Sequence, residues 1–174
     1  GGRGYVGQEI VELLANHKHL NITSVFSSSK AGQPVHLNTG IDLLYKDLNL
    51  AKINLSDEDA FILALSNNES EDYIDLIHRH NPKAIIIDLS SDHRFDDAWE
   101  YRVPELSEKL QSSKISNPGC YASAMQFMLA PIKNILVGPA NLYGISGYSG
   151  AGATPNARND HEALKDSVLP YSLV

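Results

Sequence analysis

The sequence predicts an α/β fold, a doubly wound parallel sheet, and three observations carry that expectation. Helical patterns alternate with short apolar strands, polar loops follow the strand ends, and a glycine cluster opens directly into the first helix. Strands that read as continuous apolar runs suit a sheet covered on both faces, the usual construction of parallel sheets.

Residues 5–17 place Val6, Ile10, Val11, Leu13 and Leu14 near one helical face, with no proline to interrupt it. Residues 21–26 are short, β-branched and apolar, so they read as a strand ending in Ser27-Ser28-Ser29. Ser56-Asp57-Glu58-Asp59 reads as a helix start or turn, and 60–65 as a strand buried on both faces. Residues 70–80 have helical spacing with Tyr73, Ile74 and Ile77 inward; Pro82 breaks the pattern, and 84–89 is the clearest buried strand. Asn117-Pro118-Gly119 then opens a helix over 120–132, and 141–152 reads as an apolar strand dissolving into a glycine-rich loop. Loops 27–30, 66–68 and 90–94 all follow strand ends, which gathers them on the rim where such sheets bind ligands.

Composition narrows the function. The chain has 174 residues, 43% of them hydrophobic, which fits about one domain plus part of a second. Acidic residues outnumber Lys and Arg 21 to 14, which argues against a nucleic-acid partner. No run approaches the roughly 18 apolar residues of a membrane span. A single cysteine excludes an intramolecular disulfide and fits a reducing compartment. The sequence opens on a glycine loop with no methionine and no strand before it, which predicts a fragment of a longer chain.

Three segments could carry chemistry. Gly1-Gly2-Arg3-Gly4-Tyr5-Val6-Gly7 satisfies G-x-G-x-x-G at the entry to a helix. Glycines there permit a tight turn and close approach to a pyrophosphate at the positive helix end; glycine clusters also make plain turns. About 20 residues further on, an NAD site usually carries a carboxylate for the ribose hydroxyls. This chain has Ser27, Ser28, Ser29 and Lys30 instead, which suit a 2′-phosphate and predict NADP; the alternative is a solvated serine loop. The third segment, Ser116-Asn117-Pro118-Gly119-Cys120-Tyr121-Ala122, sets the cysteine in the first turn of a helix. The dipole and free N–H groups there stabilise a thiolate, so a nucleophile outranks a core filler.

These segments, with Asp88-Leu89-Ser90-Ser91-Asp92-His93-Arg94-Phe95 and the downstream run Gly147-Tyr148-Ser149-Gly150-Ala151-Gly152, occur in the same order in N-acetyl-gamma-glutamyl-phosphate reductases. The chain resembles that family, within the semialdehyde dehydrogenase superfamily, over essentially its whole length. Asp96 to Trp99 and Pro104-Glu105-Leu106 are similar to a branch shared by some proteobacteria and fungi. The resemblance implies a Rossmann-type NADP-binding domain over 1–118, lacking its first strand, and the start of an α+β catalytic and dimerisation domain over 119–174.

It also implies a covalent route in arginine synthesis. Cys120 attacks the γ-acyl phosphate, phosphate leaves, and NADPH reduces the thioester to the semialdehyde. Gly1, Arg3, Gly4, Tyr5, Val6 and Gly7 would then bind the cofactor, with Ser27, Ser28, Lys30, Leu65, Ser149 and Gly150. Asn117, Arg94 and Ser149 would contact substrate, no metal is involved, and the complete protein would be a homo-oligomer. A bacterial cytoplasm is the expected location, or a mitochondrion if the source is fungal.

Departures from the family qualify this. Relatives often carry arginine where this chain has Ser29-Lys30, and lysine supplies charge without a bidentate fork. Ala64-Leu65-Ser66-Asn67 stands where relatives have Ala-Leu-Pro, and Ser123 replaces a threonine. The family's catalytic histidine follows a Pro-Tyr-x-Leu segment, and the sequence ends at Pro170-Tyr171-Ser172-Leu173-Val174. None of the seven histidines matches that position, so this stretch alone is expected to be inactive. His17, His19, His78, His80 and His161 read as solvated, His36 as a loop residue, and His93 stands where relatives carry assorted aromatics. Other readings stay open: the related reductase of amino-adipate-route lysine synthesis, then aspartate-semialdehyde dehydrogenase, whose cysteine neighbourhood reads differently, and a non-catalytic dinucleotide-binding module.

Overall fold

The computed structural model describes residues 1–35, 42–47, 49, 55, 57–107 and 111–170. His36, Ser56 and the 171–174 end of the Pro-Tyr-x-Leu segment lie outside them. The chain forms two compact units, Gly1–Leu142 and Tyr143–Val174.

In the first unit the glycine loop enters helix α1 (Tyr5–Ala15), followed by strands β1 (Val25–Phe26) and β2 (Tyr45–Lys46). Next come β3 (Ala60–Leu63), α2 (Glu71–His80), β4 (Ile85–Asp88), β5 (Glu100–Tyr101), β6 (Lys114–Ser116) and α3 (Cys120–Leu129). β1 and β2 pair in parallel; β3, β4, β6 and β5 form a second sheet in that order, with every pairing parallel. This is the parallel α/β architecture anticipated from the alternation of helices and apolar strands, and of the Rossmann type that the resemblance implies. Leu63, Asp88 and Ser116 stand in register at the ends of three adjacent strands, so the loops that follow leave one rim.

α2 forms because its apolar residues fall on one side and its charges match its dipole. Glu71 and Asp72 open it, His78, Arg79 and His80 close it, and Ile74, Leu76 and Ile77 are buried. Each of those three stabilises by about 2 kcal/mol against leaving it exposed. They pack with Leu63, Ile86, Ala84, Leu55 and Trp99 in the main core, while Val11, Val25, Val35 and Tyr45 form a second cluster under α1.

Several sequence expectations need correction. β3 and β4 are not buried on both faces: Ile62 and Ile85 are 39% and 41% exposed, while Leu63 and Ile86 are inside. Hydrophobicity alone cannot report that only one face meets a helix among the described residues. The first strand shrinks from 21–26 to Val25–Phe26 because β2, its partner, is itself two residues long. No strand forms over 141–152; no described strand pairs with it, and its only regular turn is a 3-10 segment, Tyr148–Ala151. The helix expected over 120–132 is α-helical to Leu129 and then tightens into a 3-10 turn, Ala130–Ile132, where Pro131 removes a donor.

Among the described residues no helix is long and apolar enough to cross a membrane, and no cluster of candidate metal ligands occurs.

Ser116 offers a stability test. It is fully buried, and its hydroxyl has no hydrogen-bond partner among the described residues. Ser116→Ala is therefore expected to be neutral or stabilising, by up to about 1 kcal/mol. Thermal unfolding measures it, and a clear loss of stability would mean that the hydroxyl is satisfied after all.

Candidate active site

The glycine loop abuts the strand ends. A Cβ on Gly1 would fall 1.7 Å from the Ala64 carbonyl oxygen, just past β3, and one on Gly2 would strike Val25 at 2.4 Å. Gly2 N–H donates to Phe26 O at 3.1 Å, fixing the loop to the end of β1. Gly7 is equally constrained, since its Cβ would lie 2.4 Å from Gly1 O. Gly4 differs: an added Cβ would meet only Gly1 O, at 3.4 Å. Its extended backbone caps α1, whose first-turn N–H groups lack helical acceptors by geometry. Arg3, Tyr5 and Val6 are exposed beside it, and Gln8 Nε2 donates to Arg3 O at 2.6 Å.

After β1 the serine loop turns on itself. Ser27 is 4% exposed, and its hydroxyl accepts the Lys30 N–H at 3.2 Å, leaving Ser28 and Lys30 exposed. Leu65, after β3, is half-buried and packs against the main core.

Loops 66–70 and 90–94 are stitched together. Ser91 N–H donates to Asn67 Oδ1 at 3.1 Å. Asp92 Oδ2 accepts from Asn68 N–H at 2.7 Å and Ser70 Oγ at 3.2 Å. Asn68 adopts φ 65°, a left-handed conformation that asparagine tolerates. Asn67 thus supplies a side-chain bond from the first loop to the second.

Beneath them lies a buried polar cluster. Asp88, with no exposed surface, accepts from Ser90 N–H at 3.1 Å and Ser90 Oγ at 2.7 Å. Its Oδ2 also faces His93 Nδ1 at 2.7 Å, while His93 Nε2 faces Glu71 Oε2 at 3.2 Å. The imidazole stacks on Trp99 with centroids 4.2 Å apart. Burial opposes the imidazolium, but hydrogen bonds and charge from Asp88 and Glu71 outweigh it and raise the His93 pKa above 6.5.

Arg94 follows directly. Its Nε donates to Asn117 O at 3.2 Å and its Nη2 to Leu89 O at 3.3 Å, tying the ends of β4 and β6 together. Among the described residues it forms no ion pair. A Cβ on Gly119 would approach its Nη1 to 3.0 Å. Asn117 N–H donates to Asp88 O at 2.8 Å, and its side-chain amide to Pro118 O at 2.9 Å. Cys120 is the first residue of α3 and is exposed. The first unit therefore brings Gly1 to Gly7, Ser27, Leu65, Arg94, Asn117 and Cys120 to strand ends and adjoining loops.

The remaining candidates lie in the second unit. Ser149 and Gly150 are exposed in the 3-10 turn, where a Cβ on Gly150 would fall 2.1 Å from Ser146 Oγ. Asn156 Nδ2 donates to Ala151 O and Thr154 O at 3.2 and 2.9 Å, and Asn159 Nδ2 to Gly152 O and Thr154 O at 2.9 and 2.8 Å. His161 is exposed as expected, and its ring stacks on Tyr148 at 4.1 Å.

Comparison with known proteins decides the family. Residues 1–113 match the semialdehyde dehydrogenase NAD binding domain, and 120–174 match the semialdehyde dehydrogenase dimerisation domain. The chain belongs to the semialdehyde dehydrogenase family. The first match gives a nicotinamide dinucleotide as its class of cofactor. An N-acetyl-gamma-glutamyl-phosphate reductase from Xanthomonas euvesicatoria pv. vesicatoria is 42% identical over 99% of this chain and 56% of its own length. Reductases of the same name from Stenotrophomonas maltophilia and Xylella fastidiosa are 40% and 41% identical over 99% of the chain. The chain spans 56% and 54% of their lengths. Two solved structures of aspartate semialdehyde dehydrogenase II from Vibrio cholerae, one complexed with ASA, share the fold at TM-scores of 0.63 and 0.65. Both are 21% identical, and they cover 78% and 87% of this chain, which spans 41% and 46% of theirs.

Gly2 and the Asp88–His93–Glu71 cluster escaped sequence reasoning. Gly2 could have been found by asking which glycine must pass the neighbouring strand. The cluster joins residues 22 apart in sequence, and periodicity carries no signal for that.

Proposed function

We propose that the complete protein reduces N-acetyl-γ-glutamyl phosphate to the corresponding semialdehyde with release of phosphate, using NADPH, in arginine synthesis. The observation that carries this reading is an exposed cysteine opening α3, one short turn after β6, in a sheet whose β3 end meets the glycine loop. Reductases of that name are its relatives at 40% identity and above, which supports the same substrate here.

The glycine loop fits a dinucleotide. Gly1 and Gly7 are crowded by backbone, whereas Gly4 is open toward its outer side, the place where a pyrophosphate would need the room. Gly1, Arg3, Gly4, Tyr5, Val6 and Gly7 would hold it at the start of α1, and exposed Ser28 and Lys30 would meet the 2′-phosphate on a turn shaped by buried Ser27. Leu65, Ser149 and Gly150 would border the nicotinamide, which supplies hydride when bound. Cys120 would add to the acyl carbonyl, the C–O bond to phosphate would break, and a thioester would remain on Sγ. Asn117, Arg94 and Ser149 would contact the substrate. His93 is buried between two carboxylates and does not serve as the base.

We place the boundary between cofactor and catalytic domains at 118/119, and a further parallel strand between β1 and β3. The apolar cavity between those strands, lined by Gly1, Val25, Phe26, Ile62 and Leu65, supports that strand. The dimerisation-domain match supports a homo-oligomer, and bacterial relatives a cytoplasmic setting.

Gly4→Ala separates cofactor contact from folding. It is expected to leave the circular dichroism spectrum unchanged and raise the Kd for NADPH on the order of tenfold, about one hydrogen bond to a charged group. Unchanged affinity would remove the pyrophosphate from Gly4. The activity itself is tested by supplying the full-length protein with N-acetylglutamate γ-semialdehyde and NADP. NADPH is expected to accumulate beyond one equivalent per site only when inorganic phosphate is added, and repeated phosphate-independent turnover would contradict acyl-phosphate chemistry.

A further inference from the structure

The buried cluster beside the rim is not used by the chemistry above, yet it is built with more constraint than a loop needs. His93 is 7% exposed and held on three sides, by Asp88 at the end of β4, Glu71 in the first turn of α2, and the Trp99 ring. The next residue is Arg94, whose guanidinium lies across Asn117 O and Leu89 O and occupies the space over Gly119. Gly119 immediately precedes Cys120. A side chain anchored at position 93 therefore fixes the loop that delivers a cation to the turn before the cysteine.

We propose that His93 is a positioning residue for the reaction: clamped between Asp88 and Glu71, it holds Arg94 against the Asn117–Gly119 turn and thereby sets the reactivity of Cys120. The proposal rests on Cys120 being the nucleophile. Both ring nitrogens face carboxylate oxygens, so the full clamp needs the doubly protonated ring. Other charged groups nearby are Asp92 and Arg94 in the same loop and Lys114, whose Nζ lies 5.7 Å from the Trp99 ring centroid on β6. Loss of one proton removes the bond to Glu71, whose side chain is 74% exposed, before the bond to buried Asp88. The clamp then opens on the α2 side, and Arg94 is held less firmly.

The test follows alkylation of Cys120 by iodoacetamide in the full-length protein, quantified on the peptide carrying that residue, from pH 5.5 to about 9. His93→Phe keeps a ring on Trp99 and removes both hydrogen bonds. Below the His93 pKa, wild-type protein is expected to react about fivefold faster than the variant, the low end of coupling between sites. That ratio is expected to fall toward one as pH rises through the His93 pKa. A purely structural role would give a ratio independent of pH. Glu71→Gln, at an exposed carboxylate, is the second variant should His93→Phe fail to fold; its clamp opens at lower pH, so the ratio of wild-type to Glu71→Gln rate is expected to peak between the two openings and approach one above both. Identical rates, or a pH-independent ratio in the folded variant, overturn the role of His93. Wild-type alkylation no faster than that of free cysteine at every pH overturns the nucleophile reading instead.

Discussion

Cys120→Ser in the full-length protein is expected to lower kcat on the order of 10³-fold or more while leaving the fold and NADPH affinity intact. The size follows from chemistry. A thiol ionises far more readily than a hydroxyl, and the thioester it forms is a better hydride acceptor than an ester. The selectivity follows from position. Cys120 is exposed at the first residue of α3, so serine there disturbs no packing and suits a helix start. Parallel measurements of phosphate-dependent NADP reduction, NADPH binding and thermal unfolding check it. Retained turnover in the serine variant would remove Cys120 from the chemistry.

Asp88→Ala is expected to cost about 3–5 kcal/mol, the scale for deleting one partner of a buried charged pair. Asp88 has no exposed surface and receives Ser90 N–H, Ser90 Oγ and the His93 ring. Truncation strands those donors in the interior. Denaturant unfolding of wild type and variant, compared by midpoint at equal slope, gives the number. The loss should depend on pH in a defined sense. His93 has a folded pKa raised above 6.5, so its contribution is complete below 6.5 and fades as pH rises through that higher folded value. The gap between wild type and Asp88→Ala is therefore expected to narrow on the alkaline side. A small or pH-independent gap would contradict the placement of His93 against Asp88.

The sequence carried the parts of this molecule that local chemistry dictates. Alternating helices and apolar strands pointed to the parallel α/β architecture, because a helix such as α2 between β3 and β4 carries the chain back to start a parallel strand. Gly1 and Gly7 were readable as a tight turn, since backbone crowds the space a Cβ would need, and Cys120 as a helix start, since Asn117-Pro118-Gly119 precedes it. Burial of individual strand faces was not readable: Ile62 and Leu63 look alike in the sequence, yet only one meets α2. The apparent strand over 141–152 failed for a related reason, since a strand exists only with a neighbour to bond. His93 looked like a substitutable ring, and its two carboxylate partners come from β4 and α2, which no linear pattern joins. Ser27 shows the same limit at smaller scale: a serine suited to a phosphate proved to be the inside of a turn.

The most direct test of the covalent route is a single-turnover experiment without phosphate. Full-length protein is mixed with excess N-acetylglutamate γ-semialdehyde and NADP, quenched in acid, and digested. The expected result is one equivalent of NADPH per site in a rapid burst, with an N-acetylglutamyl group bound as a thioester on the peptide containing Cys120. A burst with an unmodified Cys120 peptide, or acylation at another residue, would contradict it.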